Sequence, residues 1–261
     1  MDWQYFPTGP NGFFRAPVLL SGPTEALLID GGFTYPDGKF LAGAIQAAGK
    51  KLLAIYVSQS DPDYYFSLKP VLDLFPDTKV LAASDTIKAI QGNIENKLAI
   101  WGPQLKDNGP QTLADIVWPQ PFDRPSLTLD GETIEIVPGK SLLNRRYLWV
   151  PSHHALLGGV LIFSGVHVWT AETQTKEQRE AWIRTLDEIA AHQPSLVIPG
   201  HMTPEAKTDL SAVRFTKDYL VAFEEEVEEA ENSVALKAAM QSRFPDLDMG
   251  IALEIGSKVA K

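Results

Sequence analysis

Cysteine is absent from this sequence of 261 residues, which excludes disulfides, thiolate metal ligands and a cysteine nucleophile. By itself the absence assigns no compartment. Long hydrophobic runs are missing too: no apolar stretch approaches the ~20 residues needed to span a bilayer. The N-terminal region also lacks the basic start, apolar core and small-residue cleavage site of an export signal. The chain is therefore expected to be soluble and cytoplasmic, with no membrane partner. Basic residues are outnumbered, 23 Lys and Arg against 33 Asp and Glu, for a formal net charge of -10. A nucleic-acid partner is not expected, because phosphate contacts depend on clustered Lys and Arg. A small or uncharged partner suits this surface better.

What is present is enough apolar material for a large core, 44% of the residues, in one large domain with a helical tail. NGFFRAPVLLSG and EALLID are rich in β-formers and separated by a Gly-Pro turn, so they read as a hairpin ending at Asp30-Gly31-Gly32. A helix is predicted from about Gly38 to Ala48, then KLLAIYVS as a strand covered on both faces. In PDYYFSLKPVLDLF, Tyr65, Leu68, Leu72 and Phe75 stand at helical spacing, and Pro62 suits a first helical turn. TKVLAA reads as a strand, and Ser84 as the cap of a helix whose apolar face is Ile87, Ile90, Ile94, Leu98 and Trp101.

A Pro/Gly/Gln-rich loop follows, from Gly102 to about Pro125. SLTLDGETIEIVPG carries an Asp-Gly turn and reads as a hairpin. Two more strands are expected in RRYLWVPSHHALLGGVLIFSG, joined at Pro151 to Ala155, with His153 and His154 at the exposed turn. A helix should run from Lys176 to Ala191, burying Trp182, Leu186 and Ile189 and ending near His192; SLVIPGH is then a last short strand. VAFEEEVEEAENSVALKAAMQSRF is helical in pattern, its glutamates reading as a solvated face, and a short final helix is expected from about Asp248.

One stretch concentrates polar residues where a buried strand should meet a helix: VSQSDPDYYFSL, Val57 to Leu68. With LLIDGG before it and IVPGKS, GGVLIFSGVHVW and VIPGH after it, the order of motifs resembles the metallo-β-lactamase fold superfamily, most of whose members are metal-dependent hydrolases. The resemblance spans most of the chain. It implies an α/β (α+β) fold, a four-layered αβ/βα sandwich with a C-terminal helical extension, divided as residues 1–210 and 211–261.

The superfamily's loop reads H-x-H-x-D-H where this chain reads QSDPDY. Carried over position by position, the first histidine falls on Gln59, the second on Asp61 and the third on Tyr64, while the aspartate matches Asp63. The histidine of a Pro-Gly-His turn falls on Lys140, the bridging aspartate on Gly159, and the final Pro-Gly-His keeps His201. The resemblance also places His167 and Trp169, in a His-x-Trp segment, beside the site.

A dinuclear zinc site needs imidazoles and carboxylates around each ion. Asp63 and His201 alone do not supply them. Adding Asp61 gives three ligands for a single zinc, iron or manganese ion, with Gln59 as a carbonyl donor. Lys140 argues against it, because a protonated lysine has no lone pair and repels a cation. The leading expectation is a Lys140 ammonium between Asp61 and Asp63 that replaces the metal, with no cofactor.

Each residue also has a plain role. Asp61 or Asp63 would cap a helix, Tyr64 and Tyr65 would pack, Lys140 would be a turn lysine, His201 would bond backbone and Trp169 would fill core. Three functions follow: a metal-free binder of a small molecule or partner; a hydrolase of an ester, thioester, lactone or similar bond with one metal at Asp61, Asp63 and His201; or a metal-independent enzyme using Tyr64, Lys140 or His201 as acid-base groups. The first requires the fewest coincidences. The C-terminal helices are expected to cover a cleft or to build a homodimer.

Overall fold

The computed structural model describes residues 1–142 and 144–261. They divide into two compact units, Met1–Ile136 and Val137–Lys261; residues 211–261 thus belong to the second unit.

The first unit is built on a six-stranded sheet in sequential order: β1 (Asp2–Tyr5), β2 (Val18–Ser21), β3 (Glu25–Ile29), β4 (Lys51–Val57), β5 (Lys79–Ala82) and β6 (Gln120–Pro121). The first three run antiparallel and the next three join in parallel. Parallel neighbours require crossovers, and helices supply them. α1 (Tyr35–Ala48) connects β3 to β4, and α2 (Leu68–Leu74) connects β4 to β5. Leu27, Leu28, Ile55, Tyr56 and Val57 are buried, as a strand run without alternation requires.

α1 starts earlier than its apolar spacing suggests, because Thr34 and Asp37 form a reciprocal capping box. A second difference concerns Pro62, which opens a single 3₁₀ turn, Pro62–Tyr64, while the α-helix begins only at Leu68. The carboxylates of QSDPDY therefore lie in a turn and not at an α-helix N-terminus. α3 (Ser84–Leu105) buries the predicted Ile87, Ile90, Ile94 and Leu98. Ser84 is its first residue and not its cap; the Asp123 carboxylate, from the far end of the long loop, accepts the Ser84 N–H at 2.8 Å and hydroxyl at 2.5 Å. That loop holds β6, which pairs with β5.

β7 (Ser126–Leu129) and β8 (Glu132–Pro138) form the predicted hairpin around Asp130-Gly131, both residues at positive φ, as a type I′ turn demands. The Asp130 carboxylate accepts the backbone N–H groups of Thr24 and Glu25 at 2.9 and 3.0 Å, tying the turn to the start of β3.

In the second unit β10 (Ala155–Leu157) lies between β9 (Arg146–Val150), antiparallel, and β12 (Leu196–Ile198), parallel. β11 (Phe163–Ser164) and β13 (His201–Met202) form a short parallel pair. α4 (Lys176–Ala191) has the predicted bounds and buries Trp182, Leu186 and Ile189. The acidic tail is two helices where the pattern suggested one: α5 (Leu210–Glu229) stops at Ala230, and the Asn232 side chain accepts from Val234 and Ala235 to start α6 (Ser233–Arg243). α7 (Gly250–Ala260) completes the chain. None of the helices is long and apolar enough to cross a membrane among the described residues.

Candidate functional site

β3 and β4 pair in parallel, and the segments that leave their C-terminal ends build the polar centre of the first unit. Asp30 follows β3 with φ 61°, a left-handed conformation that a non-glycine residue keeps only when its surroundings impose it. The side chain supplies that constraint. Asp30 Oδ1 accepts the Ser58 N–H at 2.6 Å and Oδ2 accepts the Ser58 hydroxyl at 2.8 Å, which laces the end of β3 to the end of β4. The Arg15 guanidinium donates to Asp30 Oδ2 as well. Both partners are buried. Burial pushes the Asp30 carboxyl up, and Arg15 with Ser58 opposes it without cancelling it.

β4 then runs into Gln59, Ser60 and Asp61. Gln59 is buried, and its Oε1 accepts from the Ser60 N–H and hydroxyl. Asp61 precedes the 3₁₀ turn without capping it by a side-chain bond. Its Oδ1 instead accepts from Lys97 Nζ, on α3, at 3.0 Å. Asp63 is buried in the same turn, and its carboxyl is pushed up first by burial and second by the Asp61 charge; Arg15 and Lys97 act in the opposite direction. The Arg15 guanidinium lies 4.1 Å from the centroid of the buried Tyr64 ring, a cation–π contact. Burial raises the Tyr64 phenol, and Arg15 is the main opposing influence. The Tyr65 hydroxyl is buried with no hydrogen-bond partner among the described residues. Behind the turn, Phe33 stacks on Phe66 at 6.0 Å, and Trp101 meets Phe13 and Phe33 at 5.4 Å each.

Lys140 takes a different role from the one expected. Its ammonium pairs with Glu188 at 2.7 Å on a side chain 78% exposed. The lysine that neutralises Asp61 is Lys97. The reason lies in α3: Lys97 stands three residues after the buried Ile94 and four before the half-buried Trp101, so the helix face that packs those residues also carries Lys97 inward. A charge on an apolar helical stripe was the available signal. Arg15, a lone cation inside FFRAPV, and Asp30, before two glycines, carried weaker ones.

In the second unit, His201 is buried on β13 with its ring stacked on Phe163 at 5.0 Å and 5°. His167 is buried and its Nδ1 lies 3.0 Å from the Tyr219 hydroxyl. Burial holds His167 down at about 4. Trp169 is half-buried, its indole N–H without a partner among the described residues. Gly159 follows β10 at φ 49°, and a Cβ on Gly200 would lie 1.9 Å from the Gly159 carbonyl, which explains two glycines beside His201. His154 is exposed as expected and His153 half-buried. His192 ends α4 with its ring 5.3 Å from Trp149.

No family model matches this sequence, and no curated protein matches it either. Comparison with solved structures is more informative. A metallo-β-lactamase family protein of Thermus thermophilus, TTHA1429, superposes with a TM-score of 0.67 at 15% identity, over 99% of this chain and 90% of that one. The chain has the metallo-β-lactamase fold. Other structures with this fold agree: VMB-1 gives 0.56 at 19% identity over 84% of this chain and 90% of that one. A metallo-β-lactamase from Pontibacter korlensis gives 0.55 at 15%, over 79% and 87%.

In the loop that the resemblance matches to the superfamily's metal-binding motif, Gln59, Asp61 and Tyr64 stand at the histidine positions and Asp63 at the aspartate. Among the described residues no group of three or more His, Asp or Glu side chains is arranged to hold a metal ion. The donors in the loop do not fit one: Asp61 faces an ammonium, and the Gln59 carbonyl faces Ser60.

Proposed function

We propose that this metallo-β-lactamase-fold, hydrolase-like protein works without a resident metal and binds a small, largely uncharged molecule or a partner at the strand ends of the first unit. The observation that supports this reading is the Lys97 ammonium 3.0 Å from Asp61, a cation tethered where a metal ligand would otherwise be free. The Tyr65 hydroxyl, buried and unpartnered among the described residues, supplies a polar group for a ligand, since a buried hydroxyl without a partner is costly. The aromatic rings of Phe13, Phe33, Phe66 and Trp101 support an apolar portion.

Metal analysis of tag-free protein after dialysis tests the reading. Zinc, iron and manganese are expected well below one equivalent; one tightly held equivalent sinks it.

A second reading is metal-independent hydrolysis of an ester, thioester or lactone, and Asp63 favours it. A carboxyl raised by burial and by Asp61 is suited to proton transfer near neutral pH. Chelator-resistant turnover of generic substrates that disappears in Asp63→Asn supports this reading; no turnover with or without added metal leaves the binder.

A further inference from the structure

Buried carboxylates need a counter-charge, and in the metallo-β-lactamase fold the metal ions would provide it. Here the first unit gathers Asp30, Asp61 and Asp63, all buried. Two cations reach them. Arg15, itself buried, pairs with Asp30 and covers Tyr64. Lys97 pairs with Asp61, the two side chains being 19% and 10% exposed. Both cations act on Asp63.

We infer that Lys97 and Arg15 are tethered stand-ins for the metal charge, and that vacating the Lys97 position converts Asp61 and Asp63 into a binding site for a small exogenous cation. The inference rests on the metal-free reading above and goes further, because it assigns the charge to particular side chains and names the class of ligand that an emptied position accepts. A surface ion pair is the competing description of Lys97 and Asp61. Exposed pairs hold long side chains in open water, as Lys140 and Glu188 do, with 78% and 46% exposure. Lys97 instead enters from the apolar stripe of α3 toward a turn in which every residue is buried. Two of the loop's four family positions therefore face a protein cation: Asp61 at the second-histidine place faces Lys97, and Tyr64 at the third faces Arg15.

The experiment uses the full chain with Lys97→Ala, Lys97→Met and Asp61→Asn, alone and combined. Thermal midpoints are followed while butylammonium chloride, manganese chloride or magnesium chloride is added, against sodium chloride at equal ionic strength. The expected result is a saturable upward shift in Lys97→Ala with at least one of these cations, absent in wild type and in Lys97→Ala/Asp61→Asn. Should Lys97→Ala fail to fold, Lys97→Met, which retains the apolar stem, carries the same titration with the metal ions. A double-mutant cycle provides the independent readout: Asp61→Asn is expected to restore part of the stability lost in Lys97→Met. The inference is overturned if the Lys97 variants respond no more than wild type, or if the response persists without Asp61. Metal found in the wild-type protein would instead refute the metal-free reading, so the two failures are separable.

Discussion

A single buried imidazole sets a pH dependence that can be worked out from its surroundings. His167, with its Nδ1 3.0 Å from the Tyr219 hydroxyl, is held neutral by burial, down at about 4, against ~6.5 in an unfolded chain. Between these values the unfolded chain's imidazole binds a proton that the native one does not, so the contribution of His167 to stability rises with pH across the window. The stabilisation is fully present above pH ~6.5 and is lost as pH falls toward 4. Asp63, pushed up to about 7, contributes a slope of opposite sign over the same window, so the readout is the difference between wild type and His167→Gln in urea titrations from pH 4 to 7, which is expected to rise with pH; a difference independent of pH places the titration elsewhere. The same scale shows what a sequence conceals. Asp61, Asp63, Tyr64 and Gln59 are legible as one cluster because they are neighbours in the chain. Lys97, thirty-six residues from Asp61, and Arg15 are not, because a long cation's partner depends on where its helix or strand delivers it. Lys140 has an ordinary turn lysine's environment, and its neighbour on α4, Glu188, explains its partner.

At the scale of elements, the position of the site depends on α1 and the 61–67 segment packing at backbone contact. A Cβ on Gly38 would fall 2.0 Å from the Ser67 carbonyl oxygen, so α1 can approach only where a side chain is missing. Ser67 also donates its N–H to the Gly32 carbonyl at 3.0 Å and receives the Gly32 N–H on its hydroxyl at 2.6 Å. Gly38→Ala is expected to cost roughly 1–3 kcal/mol, as overpacking does, read as a lower urea midpoint. A change within experimental error would mean that α1 shifts freely and does not hold the loop. Boundaries set by periodicity, such as those of α4, β4 and the β7–β8 hairpin, are local and were readable. The caps of α3 and α6 were not both so: Asn232 is a local cap, whereas Asp123 reaches Ser84 from beyond the long loop. The 3₁₀ turn at Pro62 likewise differs from the α-helical start that the spacing of Tyr65, Leu68 and Leu72 favours, since Gly31 donates to the Tyr64 carbonyl at 2.7 Å and holds the turn against the strand ends.

For the whole molecule, charge decides which partners suit it. With a formal net charge of -10, no retention of duplex DNA or RNA is expected at physiological salt, because nonspecific affinity comes from phosphate neutralisation by Lys and Arg. A gel-shift assay showing salt-sensitive binding would contradict that. The sequence by itself determined the fold, since hydrophobic periodicity, turn residues and motif order are properties of neighbouring positions, and the chain superposes on TTHA1429 over 99% of its length. It also determined that the strand-to-helix loop carries Gln59, Asp61, Asp63 and Tyr64 and no histidine. Only the tertiary structure decided which cations face the remaining carboxylates. Arg15 and Lys97 approach Asp30 and Asp61 from separate elements, and ion pairing in a folded core is set by the packing of those elements, which no local pattern encodes.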